Sequence, residues 1–588
     1  MSNVYYITND EERLCNMSSI IKKKVKKYTY YYRVECARVN GKPRIVNQKY
    51  LGTADNITRA VDSYNGEIPD PSFSIVQQYG AVCALYDLAV RMKVVELIDK
   101  HMPKRNQGLS IGEYIVLTVI NRAVYPKSKS EFYSWFDKTV LHKFFPLANK
   151  NSLSSQGFWE NMSLIKPEAI QAFEDEFTEI MVKKYELSTD CLIYDTTNFF
   201  TYLDSANPAK LAKRGNSKQK RTDLKIIGLA MMVSPDSNIP LFHEVYPGND
   251  NDAKQFSSVI NKLKERYLKI SGGKEKMTLV FDKGNNSQSN IDRLLKDENS
   301  KFHVVGSLKF NQCQELLQIG KELYIPLKGE SFKGATAFRT KKEVYNGEMA
   351  VIVVFNPELI EEQLEGINNN ILKCRDELHE LKNSLELRNQ GIIKKGKKPT
   401  AVSVENHIAG ILSPEHMDEI FTYCITEESG HISIDYYVDQ VKFEELKERV
   451  LGKSIIFSNN HDWETEKIIA AYRSQYHIED CFKQIKNTKY LSFRPLLHWT
   501  DQKITVHAFY CVLSLVLCSL LNREINKMGY KMSINRMLKE LSDVEHVITV
   551  FPNKKSKKEK EKYSFSGYQG DIKDIIDKLN LKKYSSVM

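Results

Sequence analysis

The sequence predicts an α/β protein with a helical N-terminal region and an insertion that is β-rich and carries one long helix. Three observations support this. Five short apolar runs between residues 191 and 308 read as buried strands. Helical stretches at about 252–269 and 287–297 separate the later runs. Residues 75–186 carry helical periodicity, with Pro103 and Pro126 as breaks. Length and composition agree. At roughly 150 residues per domain, 588 residues suggest about two to four domains. A chain that is 42% hydrophobic and 27% charged is neither wholly disordered nor collagen-like.

Residues 1–60 form a basic region in which aromatic and β-branched residues alternate around Asn40-Gly41, a hairpin signal. Residues 61–186 are the helical region. The segment 187–309 holds the runs CLIYD, KIIGLAMMV, IPLFHEVY, MTLVFD and FHVVGSL: three strands in succession, then helix, strand, helix, strand. Residues 310–460 form the insertion, with a hairpin at Asn346-Gly347 and a helix over 357–388. In that helix Ile360, Leu364, Ile367, Ile371, Cys374, Leu378, Leu381 and Leu385 recur in alternating steps of four and three, a heptad seam. The seam suits a hairpin packing on a return helix at 404–412, or an intermolecular coiled coil. Residues 461–548 resume the core, and 549–588 are a basic tail with a solvated stretch KKSKKEKEK.

The net charge of +11 is modest, but its distribution is uneven. Residues 20–50 carry ten Lys/Arg against Glu35 alone, and residues 208–225 carry seven against Asp223. Basic patches on a near-neutral body fit a polyanionic partner. None of the ten cysteines forms C-x-x-C, which disfavours a zinc knuckle or a dithiol site. The N-terminus lacks a charged-then-apolar leader, so a cytoplasmic location is expected. The longest apolar run, Ala508 to Leu521, is short of the roughly 20 residues that span a bilayer and reads as a buried helix.

Three acids stand out. Asp195 follows CLIY and Asp282 follows MTLVF, so both are expected at the ends of buried strands, where α/β sheets bind ligands. Such residues also commonly cap the next turn. Glu479 lies in AAYRSQYHIEDCFKQIKN, where Tyr472, Glu479 and Lys486 are seven apart and drift only about 20° per step on a helix. Gln475 shares that face, and Ile478, Phe482 and Ile485 form the apolar stripe that seats the helix. The face suits a metal ligand flanked by phosphate-contacting groups, or a solvated surface. No G-x-S-x-G, H-E-x-x-H or Walker loop is present.

The combination resembles the bacterial insertion-sequence transposases of the DDE type, in the group marked by Y-x2-R-x3-E-x6-K. The matching residues here are Tyr472, Gln475, Glu479 and Lys486, with YDTTN, GNSKQKRTDLK, PLFHEVYPGNDND and FDKGNNS as further matches. The resemblance implies a ribonuclease-H-like catalytic core in which Asp195, Asp282 and Glu479 hold two Mg2+ ions, with Mn2+ as a substitute. It implies DNA contacts from Tyr472, Gln475 and Lys486, and placement beside the core adds Arg214, Lys218, Lys220 and Arg221. It further implies a transposase that binds the terminal repeats of its element, cleaves DNA and joins 3′ ends to a target as a homodimer. Bacterial cytoplasm, with nucleoid association when bound, is the expected location. The chain departs from the signature at Gln475, where the group has arginine; Arg473 is about 200° away around a regular helix. Two other readings stay open: a ribonuclease-H-like nuclease that cuts without strand transfer, and a catalytically decayed protein that binds element ends.

Overall fold

Apolar runs become strands here wherever both faces of the sheet are covered, and the chain between them folds into the covering helices. The computed structural model describes residues 17–39, 42–64, 71–105, 107–204, 207–215, 223–250, 252–270, 277–282, 284, 286–295, 302–394, 396–428, 430–552 and 560–585. They divide into two compact units, Met1–Val76 with Val547–Ser564, and Gln77–His546 with Phe565–Met588.

In the first unit β1 (Met17–Val25), β2 (Tyr28–Val39) and β3 (Lys42–Gly52) form an antiparallel meander followed by the helix Ala54–Tyr64. The expected turn residues Asn40 and Gly41 lie outside the described residues, and Val39 pairs with Lys42 across them. The strand β4 (Phe73–Gln78) then leads into the second unit.

In the second unit β5 (Cys191–Phe200), β6 (Ile226–Ser234) and β7 (Ile239–Pro247) run antiparallel. The helix Asp252–Ile270 crosses to β8 (Met277–Phe281), parallel to β5, and the helix Gln288–Leu295 crosses to β9 (Phe302–Ser307), parallel to β8. Parallel neighbours need such crossovers because a tight turn cannot reverse the chain twice. Every residue of β6 and β8 is buried, as expected of central strands covered on both faces.

The expected insertion at 310–460 is narrower than its sequence suggests. The strands β10 (Ile325–Pro326), β11 (Thr336–Val344) and β12 (Gly347–Phe355) extend the same sheet. The hairpin β13 (Phe421–Glu428)–β14 (His431–Val438) stands apart, and β15 (Lys453–Ser458) returns to pair with both β12 and β9. The nine-stranded order is β10-β11-β12-β15-β9-β8-β5-β6-β7. Only the chain between β12 and β15 leaves it, as a helical subdomain with its own core. There the heptad seam of the helix Ile360–Asn389 is turned inward: Cys374 and Leu378 are buried beside Ile408 of the return helix Ala401–Ile411 and Ile434 of β14. The β11–β12 turn uses Tyr345-Asn346, not Asn346-Gly347, since Val344 pairs with Gly347 and both loop residues have positive φ (53° and 56°).

The helix Asp501–Lys527 is long and apolar enough to cross a membrane. It instead packs against the N-terminal helices Gly80–Arg91 and Ile111–Val124, with every residue from Ala508 to Leu521 buried. The tail is not simply solvated. Residues 553–559 of its lysine-rich stretch lie outside the described residues, but β16 (Glu545–Phe551) and β17 (Lys560–Ser566) pair in the order β17-β16-β4. The helix Gly570–Lys578 buries Ile572, Ile575 and Ile576, and Tyr79 Oη donates to the Leu581 carbonyl at 2.6 Å.

Candidate active site

Strand register brings two of the three acids together. In the parallel pair of β5 and β8, Tyr194 lies opposite Phe281, so the next residues, Asp195 and Asp282, stand side by side. Asp282 follows the end of β8 as expected. Asp195 does not end its strand: β5 continues through DTTNFF to Phe200 because Thr196 to Phe200 pair with β6. Thr196 to Phe200 prolong the ladder, so the acid stands in mid-strand.

The third acid comes from the helix Tyr476–Lys486, which lies on β5 and β6. Ile478, Phe482 and Ile485 are buried beneath it, as the stripe predicts. Glu479, on the exposed face, completes a cleft of about 260 Å³ lined by Asp195, Asp282, Gln475, Glu479 and Lys486, together with Thr197 and Lys483. Sequence reasoning passed over these last two. Thr197 is two residues beyond Asp195 and so shares its face of the strand. Lys486 Nζ donates to Thr197 Oγ1 and sits 5.8 Å from the centre of the Phe199 ring.

Tyr472 is in the preceding helix, Thr465–Arg473; the single helix expected over 470–487 is interrupted at Ser474-Gln475. There the amide of Gln475 bonds to the Tyr472 carbonyl three residues back, a tighter turn than the α-helical one. The break carries Tyr472 off the cleft wall. Burial chiefly, and the negative charge of Asp282, push its phenol up to about 12, so the hydroxyl is protonated at neutral pH. Arg473 turns away: its guanidinium donates to the Ser331 carbonyl at 2.9 Å and stacks over Phe332. It does not replace the arginine missing from position 475. Gln475 Nε2 is buried with no hydrogen-bond partner. Arg214 is exposed and is not among the residues lining the cleft. Lys218, Lys220 and Arg221 lie outside the described residues.

The donor chemistry of the cleft fits a hard cation: carboxylate oxygens with no thiol or imidazole among the lining residues. Among the described residues, however, no group of three or more His, Cys, Asp or Glu side chains stands close enough to hold one ion. The three carboxylates share a cleft without converging on a point. Asp282 and Glu479 are exposed, so their side chains can reorient by rotation alone.

No family profile and no curated protein matches the chain. Among solved structures, the piggyBac transposase synaptic complex with hairpin DNA aligns at 9% identity over 78% of this chain and 79% of that chain, with a TM-score of 0.35. The Mos1 transposase paired-end complex with the left transposon end aligns at 13% identity over 34% of this chain and 60% of that chain, with a TM-score of 0.14. Superpositions this loose transfer neither fold nor function.

Proposed function

We propose that this chain is a DNA transposase of the DDE type, which binds the ends of its own mobile element, cuts them, and joins the freed 3′ ends to a target. One observation carries the reading: acids at positions 195, 282 and 479, from two strands and a helix, line one cleft beside Lys486. The strand order β7-β6-β5-β8-β9, antiparallel then parallel, supports a ribonuclease-H-like core around it.

Asp195, Asp282 and Glu479 would hold divalent cations, Mg2+ by preference and Mn2+ as a substitute. Cations held there supply Lewis-acid stabilisation of phosphoryl transfer and activation of the attacking water or 3′-hydroxyl. The chain's own residues do the positioning. Lys486, fixed by Thr197, and Lys483 face the phosphate backbone with positive charge. Gln475 lines the same cleft, and its side-chain amide is a neutral donor for a phosphate oxygen. Tyr472 stays protonated at neutral pH and so does not act as a base. A homodimer bridging two ends, in the bacterial cytoplasm, completes the proposal.

The test uses purified protein, a duplex bearing the DNA that flanks its gene, and Mg2+ or EDTA, with Glu479→Gln alongside. Metal-dependent cleavage plus joined product, both lost in the variant, supports the transposase. Cleavage without joining shifts the assignment to a nuclease, and binding without cleavage to a decayed end-binding protein.

A further inference from the structure

The three-stranded sheet β1–β2–β3 is sparsely covered. Among its described side chains Val34, 1% exposed, is the one buried apolar residue, while Ile20, Val25, Tyr28, Ile45, Val46 and Tyr50 are all exposed. Register sorts the remaining side chains by face. Lys22 lies opposite Tyr31, Lys24 opposite Thr29, Arg33 between Ile20 and Lys49, and Ala37 opposite Arg44. Because side chains alternate along a strand, Lys22, Lys24, Arg33, Arg44 and Lys49 share one face. Tyr30, Tyr32 and Tyr50 share the other, with ring centres 5.9 and 5.3 Å apart and Lys23 over Tyr32.

The cationic face is under-neutralised. Glu35 is the one carboxylate among the sheet's described residues, engaged by Arg33 and by Asn47 at 3.2 Å, and the hydrogen bond from Arg33 holds its carboxyl below the usual range. Arg33 and Lys49 are direct cross-strand neighbours, and Glu35 pairs with Arg33, so the face keeps a surplus of positive charge. All five cations are exposed.

We infer that this face docks duplex DNA, with Lys22, Lys24, Arg33, Arg44 and Lys49 against its phosphates. The inference rests on the transposase reading for its choice of polyanion; the face itself follows from register and charge.

The test is fluorescence anisotropy of the full-length protein with a labelled 30-base-pair duplex, in EDTA so that nothing is cut, over a salt series. Replacing Lys22, Lys24 and Lys49 together with Ala lowers the slope of log affinity against log salt by about 2 to 3, near 0.9 for each phosphate no longer neutralised, and weakens binding at least about tenfold. The triple Lys→Arg variant retains both, which separates removal of charge from failure to fold. Tyr50→Phe on the opposite face leaves the slope unchanged. An unchanged slope in the alanine variant overturns the inference, and so does tighter binding of single-stranded DNA or RNA of equal length. Cleavage assayed separately keeps the two ideas apart. A lowered slope without any cleavage leaves the docking face standing and removes the transposase, and cleavage with an unchanged slope does the reverse.

Discussion

Glu479 and Gln475 occupy the cleft for different reasons, and substitution separates them. Glu479 is exposed and bears no packing, so Glu479→Gln leaves thermal stability within about 0.5 kcal/mol of the parent. If it is a cation ligand, cleavage falls on the order of 10³-fold or more while end binding persists; single-turnover cleavage and a melting curve on the same preparation check both halves. Gln475 leaves a buried amide nitrogen unpartnered, where a charged guanidinium would reach the same phosphate with more force. Gln475→Arg therefore maintains or raises the cleavage rate. A clear loss in the same assay would mean that this residue does not face the scissile strand.

Gly228 of β6 lies directly beneath Tyr246 of β7, its cross-strand partner: a Cβ at 228 would come within 2.1 Å of the ring. Gly228→Ala forces the ring aside and costs about 1–3 kcal/mol, read as a lowered urea midpoint. The long helix of the subdomain makes the opposite point about spacing. A heptad seam is compatible with either a partner chain or a partner element, and here Leu378 is fully buried against the chain's own residues. Leu378→Ala destabilises that subdomain by about 2–5 kcal/mol, seen as faster amide exchange along Ile360–Asn389, with no change in sedimentation.

For the molecule as a whole, the polar chain that ties the N-terminal helices to the C-terminal part of the core sets a pH dependence. Lys129 Nζ donates to Tyr510 Oη at 2.7 Å and lies 3.2 Å from His498 Nε2. Burial chiefly, then the charge of Arg122, pushes the Lys129 ammonium down to about 7, against about 10.4 in the unfolded chain. Between these values the unfolded chain binds the extra proton, so stability rises with pH from about 7 to 10, and the contribution of Lys129 is flat below about 7, where both states are protonated. Lys129→Met flattens this slope; urea midpoints for both proteins at pH 6.5 and 9 measure the difference.

Periodicity and apolar run length determined what the elements are: the five strands β5 to β9, the crossover helices, the long heptad helix and the buried helix over 508–521 were all legible, because each is a local pattern that tertiary packing only had to accept. The stripe of Ile478, Phe482 and Ile485 was legible too, since a helix face is set by the residues within it. Pairing was not. That β5 runs past Asp195, and that β11, β12 and β15 join the main sheet instead of a separate insertion, both depend on partners more than ten residues away. The same physics assembled the cleft: only the parallel register of β5 and β8 sets Asp195 beside Asp282, and only the packing of a helix on β5 and β6 brings Glu479 and Lys486 to Thr197, because long-range hydrogen bonding and burial decide which strands and helices meet.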